Sequence, residues 1–143
     1  PVLEQLATEL ELQESVIFAG FIPDKELGLY YAAANVMVLV GREFQPGMPV
    51  EGFGIAYIEA NATERPVIGS RLGATPDTIV DGVTGLLVPP DDEDEIAAGI
   101  IRLLVNPDLA KLMGEHGRER AVREFTWDTQ ASRLRQQLAE IVS

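Results

Sequence analysis

The sequence predicts an α/β domain built on a doubly wound parallel sheet. Two observations carry that prediction. Short apolar runs at 16–20, 36–40, 66–70 and 85–88 have the length and composition of strands buried on both faces. Between them, and after the last, apolar residues recur at helical spacing, so strands and helices alternate along the chain. At 143 residues, with apolar side chains near half of the total, the chain can bury one core and reads as a single domain over 1–143.

Each element has a local reason. Val2, Leu3, Leu6, Ala7 and Leu10 mark a first helix, and Val16-Ile17-Phe18-Ala19-Gly20 a buried strand closed by glycine. Asp24 can cap a helix through Leu27–Ala33, after which Val36-Met37-Val38-Leu39-Val40 repeats the strand pattern up to Gly41. Residues 41–52, with Pro46, Gly47 and Pro49, form a loop. A helix follows from about Gly54 to Thr63, then a strand at Pro66–Ser70. Thr75-Pro76-Asp77 reads as a cap, a first-turn proline and an acid opening one helical turn. Asp81-Gly82 turns the chain into a last strand at Gly85–Val88. The acids from Asp91 to Glu95 open a long helix, with their charges facing water. Two more helices run from Pro107 to about Glu124 and from Trp127 to Val142. Arg118, Arg120 and Arg123 lie where a helix C-terminus favours cations.

Composition narrows function. A net charge of −12 repels phosphate backbones and anionic headgroups, which argues against nucleic acid as a partner and leaves local anion sites only. The chain has no cysteine and one histidine, His116, so neither disulfides nor a thiolate or histidine-cluster metal centre is expected. No apolar run approaches a membrane span and the start lacks signal-peptide regions, so the chain reads as cytosolic. It opens at Pro1 directly in helical periodicity, as a piece of a longer protein would. His116 lies between Glu115 and Gly117 and reads as a surface residue. Trp127 reads as a staple between helices, and Tyr30-Tyr31 as packing.

In a parallel sheet ligands bind at the carboxyl ends of the strands, so the loops after Gly20, Val40 and Ser70 are the candidates. The second leads into Glu51-Gly52-Phe53-Gly54-Ile55-Ala56-Tyr57-Ile58-Glu59-Ala60, two carboxylates with seven residues between them. Spacing alone is weak, because Glu43 and Glu51 share the same interval. Context gives it weight. Gly52 and Gly54 let backbone approach a ligand, and the free amides of the following helix suit a diphosphate. On a wheel from Ile55, Ile58 and Ala62 share the expected buried face and Glu59 lies about 40° from Ile55 at 100° per residue. A carboxylate on that border needs hydroxyl or amide partners, such as the paired hydroxyls of a ribose.

These residues resemble the retaining glycosyltransferases of family 4, which have the two-domain GT-B fold. Val16–Gly20, Leu29-Tyr30-Tyr31-Ala32-Ala33-Ala34, Glu51–Ala60, Pro66-Val67-Ile68, Asp81–Val88 and Phe125-Thr126-Trp127 occur in the family's order and at its spacing, over nearly the whole chain. The resemblance implies part of the Rossmann-like C-terminal domain, which holds a nucleotide diphosphate sugar for transfer to a hydroxyl acceptor with retention. By the same resemblance Glu51 contacts the transferred sugar and acts in catalysis, while Glu59 binds the ribose. Backbone amides across Gly52, Phe53, Gly54 and Ile55 face the sugar and diphosphate, and Phe21-Ile22 lies beside the base. No metal or other cofactor is implied. Val50–Ile55 favours the subgroup that mannosylates lipids, and the full-length enzyme would be cytoplasmic and peripheral to the inner membrane.

The chain departs from the family pattern in several places. Glu64-Arg65 replaces the glycine usual before the Pro-Val strand, and the Gly-Gly-x-Pro-Glu loop reads Gly73-Ala74-Thr75-Pro76-Asp77. The acceptor-binding N-terminal domain and the first two strands of the donor domain, with the arginine and lysine that neutralise the diphosphate, have no counterpart in the sequence. By the strand order 3-2-1-4-5-6, 16–20 then lacks its neighbours and should either collapse onto 36–40 in a four-stranded sheet or pair with another copy of the chain. A non-catalytic nucleotide-sugar-binding or structural fragment is the rival reading for the isolated chain. A receiver-type domain is disfavoured because Gly20-Phe21-Ile22-Pro23 carries no acidic cluster.

Overall fold

The computed structural model describes residues 2–43 and 52–142. The elements run α1 (Val2–Glu9), α2 (Asp24–Ala33), β1 (Met37–Leu39), α3 (Ile55–Ala62), β2 (Val67–Ser70), α4 (Thr75–Thr78), β3 (Gly85–Val88), α5 (Glu93–Leu104), α6 (Pro107–Glu124) and α7 (Trp127–Val142). The strands are parallel in the order β1-β2-β3, with Val38 opposite Ile68 and Ile68 opposite Leu86. The last three apolar runs are therefore neighbours in one sheet.

Alternation along each strand sends side chains to two cores. Ile68, Leu86 and Val88 pack with Leu103 of α5 and Met113 of α6. On the opposite face Val67 packs with Tyr57 and Ala60 of α3 and with Ile79, with Tyr31, Met37 and Leu87 against them. Helices thus cover both faces of β2 and β3, which is why these two read as continuous apolar runs; the expected buried strand at 36–40 is corrected, because β1 lies at the sheet edge with Val38 and Leu39 exposed. The acids of 91–95 are exposed as expected, and Asp92 caps α5 by accepting the Glu95 amide at 3.0 Å.

The expected strand at Val16–Gly20 is absent: the segment has no regular structure and the described sheet has three strands. Ile17 is 90% exposed, and Val16 and Phe18 are exposed too. An apolar run specifies a strand only where a neighbour accepts its backbone hydrogen bonds, and 16–20 has none among the described residues. The two sheet edges differ. At β3 the outward Leu87 N–H donates to Asp81 Oδ1 at 2.9 Å and its carbonyl accepts from Arg71 Nη2 at 2.7 Å, so this edge is closed by side chains. At β1 the Met37 amide points inward to Pro66 O, which turns the Val38 backbone outward with no partner strand among the described residues.

Two expected caps shift by a residue. Pro23 occupies the N-cap position of α2 and Asp24 lies in its first turn. Ala74 precedes α4, and Thr75 is inside it with its hydroxyl buried and unbonded. Trp127 does not staple helices; its side chain is 91% exposed.

Helix α6 crosses close behind α3 because Gly114 and Gly117 face it. A β-carbon on Gly114 would meet the Glu64 backbone, and one on Gly117 the Asn61 amide. Asn61 uses that amide to donate to Arg65 O at 2.9 Å and Thr84 O at 3.2 Å, tying α3 to β3. At the turn into β2, Glu64 has φ +61°, the left-handed region that favours glycine. At Glu64-Arg65, where the family resemblance expects glycine, the chain thus carries a strained non-glycine residue. Glu64→Gly should raise stability by about 0.5 kcal/mol, since relief of the left-handed strain exceeds the added flexibility of the unfolded chain. The exposed Glu64–Arg118 pair at 3.6 Å offsets little of this. A urea midpoint below that of the parent chain would refute it.

Candidate functional site

The site is built where α3 begins. Tyr57, in its first turn, is 1% exposed and donates its hydroxyl to the carbonyl of Leu39, the last residue of β1, at 2.5 Å. Its ring also lies over Gly69 of β2, where a β-carbon would come within 3.1 Å of Cζ. The start of α3 is thereby held above the carboxyl ends of β1 and β2, the end of a parallel sheet where ligands bind.

Gly54 precedes the helix with φ +81°, and no side chain caps α3. A β-carbon there would lie 2.5 Å from the Tyr57 ring and 3.2 Å from Thr78 Oγ1, so glycine is required twice over, by φ and by space. The Tyr57 amide turns back to Gly54 O at 3.0 Å, which leaves the amides of Ile55 and Ala56 at the helix start facing away from intrahelical acceptors. Phe53 is anchored by an edge-on contact with Phe125, ring centroids 5.9 Å apart at 69°.

The expected helix face is corrected. Tyr57, Ala60 and Asn61 are buried, so α3 turns the opposite side to the core. Ile55 and Ala62 are exposed and Ile58 is half-buried. Glu59 is exposed with them, not at the border of the buried face. It shares the outward face with Ile55, one turn along from the amides at the helix start. There it accepts a hydrogen bond from the Tyr31 hydroxyl at 3.2 Å. Burial, with the charge and hydrogen bond of Glu59 adding to it, pushes the Tyr31 hydroxyl up from its ordinary value, so Tyr31 remains a donor at neutral pH.

The structure therefore brings Gly52, Phe53, Gly54, Ile55 and Glu59 onto one loop and helix start. Phe21 is exposed and Ile22 half-buried, and neither makes a hydrogen bond or ring contact among the described residues. Glu51 lies outside the described residues. Sequence reasoning treated Tyr31 as packing alone and gave Thr78 and Phe125 no place near the loop; contacts across 28 residues of chain have no local spacing that reveals them. Among the described residues no group of three or more metal-binding side chains converges, and no helix is long and apolar enough to cross a membrane.

A parallel sheet layered by helices on both faces, with a glycine-led uncapped helix start at its carboxyl end, defines a doubly wound, Rossmann-like α/β domain. Residues 2–120 match the sequence profile of the family described as glycosyl transferases group 1. The chain belongs to that family. It is 38% identical over 141 residues to a GDP-mannose-dependent alpha-(1-6)-phosphatidylinositol monomannoside mannosyltransferase of Mycolicibacterium smegmatis, covering 99% of this chain and 36% of that protein. Among solved structures it is similar to sucrose-phosphate synthase from Thermosynechococcus elongatus, with 38% identity, a TM-score of 0.81, and coverage of 97% of this chain and 34% of that one. It also superposes on Anabaena Alr3699/HepE, solved in complex with UDP-glucose, at 23% identity and a TM-score of 0.82, covering 97% and 36% of the two chains. That last likeness speaks for the fold, which agrees with the C-terminal domain of a GT-B glycosyltransferase. The chain spans about a third of the length of these relatives.

Proposed function

We propose that this chain is the donor-binding part of a retaining family 4 glycosyltransferase that transfers a sugar from a nucleotide diphosphate sugar to a hydroxyl acceptor. The observation that carries this is the uncapped start of α3 behind Gly54, held by Tyr57 over the carboxyl end of the sheet in a member of this family. In this reading the amides of Gly52–Ile55 receive the diphosphate, whose negative charge grows as it leaves. Glu59 anchors the ribose, with Tyr31 holding the carboxylate in place, and Glu51 favours the positive charge at the anomeric carbon. Phe21-Ile22 flanks the base. No metal takes part; the remaining charge is met by cationic residues of the full-length protein. The mannosyltransferase relative supports GDP-mannose as the donor and a lipid-linked hydroxyl as the acceptor.

The acceptor is read by an N-terminal domain of the full-length protein, which works in the cytoplasm at the inner membrane face. The 143-residue chain is one domain and alone does not turn over. Its β1 edge, which has no partner strand among the described residues, favours association with a second copy when the rest of the protein is absent. In the full-length protein Glu59→Ala should weaken GDP-mannose binding by about 1–3 kcal/mol, the loss of a charged hydrogen-bonding partner. Titration calorimetry that finds equal affinity in both proteins removes Glu59 from the site. No binding of GDP-mannose or UDP-glucose by the parent protein would remove the function.

A further inference from the structure

We propose that Arg120 of α6 is a positioning residue for the Gly52–Gly54 loop, holding it from two sides at once; this rests on the reading of that loop as the donor cradle. Its side chain is 18% exposed. All three guanidinium nitrogens are used: Nε donates to Glu124 at 2.9 Å, Nη1 to Thr78 O at 2.5 Å and Nη2 to Asp77 O at 2.8 Å. The guanidinium carbon of the same group lies over the Phe125 ring, 4.9 Å from its centroid.

Both lines of contact converge on Gly54. Thr78, whose carbonyl Arg120 holds, places its hydroxyl 3.2 Å from where a β-carbon of Gly54 would stand. Phe125, which Arg120 covers, packs edge-on against Phe53, the residue before Gly54. Asp77 and Thr78 close α4, a single turn with no further helix to hold its last carbonyls, so the guanidinium fixes the wall that Gly54 leans on. A planar fork with five donors can serve two carbonyls and a carboxylate while stacking on a ring; a lysine ammonium cannot. The neighbouring Arg123 reaches only Glu119 and Glu124 and is 60% exposed, so this geometry belongs to Arg120 and is not general to the arginines of α6.

The test uses full-length protein and two readouts. In the first, without ligand, Arg120→Lys should raise hydrogen exchange in peptides spanning 52–57 at least about threefold while exchange in β2 and β3 stays at parent levels. Exchange that is unchanged, or raised equally throughout, overturns the proposal. In the second, Arg120→Lys should weaken GDP-mannose binding about tenfold in the parent, and have little further effect in a Phe53→Ala background, because the two act through one loop. Additive losses overturn coupling through Phe53. Should Arg120→Lys fail to fold, Phe125→Leu removes the ring link alone and must show the same local exchange; its absence overturns the proposal. A positive exchange result with no nucleotide-sugar binding by the parent keeps Arg120 as the loop's anchor and rejects the donor reading instead.

Discussion

Tyr57→Ala is expected to lower the unfolding free energy by about 3–5 kcal/mol, the range for deleting a fully buried aromatic side chain. Tyr57 is 1% exposed and is the largest fully buried side chain among the described residues. It is packed with Ala60, Val67 and Ile79, over Gly69 and beside Gly54. No collapse can refill the space cheaply, because two of its neighbours are glycines whose backbones are already fixed by a sheet ladder and a left-handed turn. Tyr57→Phe separates packing from polarity. It keeps the ring and loses the bond to Leu39 O, so about 1 kcal/mol should go, together with the direct tie between α3 and the end of β1. Urea titrations of the parent and both variants measure the three values. Equal losses in the two variants would mean that the hydroxyl, and not the ring, holds the site together.

What could be read from the residues follows from how local each signal is. The runs at 36–40, 66–70 and 85–88 became strands because each found a neighbour, but only the last two match burial on both faces, since Val38 and Leu39 of the edge strand β1 are exposed. The equally apolar 16–20 did not become a strand, since a strand is a property of a pair and the periodicity describes only one member. Helix α3 shows the other limit. Its apolar residues Ile55, Ile58 and Ala62 suggest one face, yet Tyr57, Ala60 and Asn61 are the buried ones. Tyr57 is buried for its ring despite a polar tip, and Asn61 for two carbonyls it satisfies, one of them at Thr84, 23 residues along the chain, so a hydropathy wheel misplaces both. Of the loop glycines, Gly54 is required by φ +81° and by the Tyr57 ring, whereas Gly52 has open space around it. The partners of the loop, Thr78, Arg120 and Phe125, were not legible, because they meet it only through tertiary packing of α4 and α6.

Glu51→Gln in the full-length protein is expected to depress kcat on the order of 10²-fold while changing donor affinity little. The motif Glu51-Gly52-Phe53-Gly54 sets Glu51 two residues before the Phe53 ring that packs on Phe125 and three before Gly54. In the proposed reaction the bond from the anomeric carbon to the diphosphate breaks as positive charge builds on the sugar. A carboxylate beside that carbon gains interaction as the charge grows, so its effect is concentrated in the transition state and not in the bound donor. Glutamine keeps the shape and hydrogen-bonding reach of the side chain but removes the charge, which isolates the electrostatic contribution. Glu59→Ala should show the opposite pattern, since a ribose contact is made equally in the ground and transition states and raises KM at nearly constant kcat. Steady-state kinetics on the two variants with GDP-mannose therefore assign the two carboxylates separately. If Glu51→Gln raises KM and spares kcat, Glu51 is a donor-binding residue, and the charge at the anomeric carbon must be met by a group elsewhere in the protein.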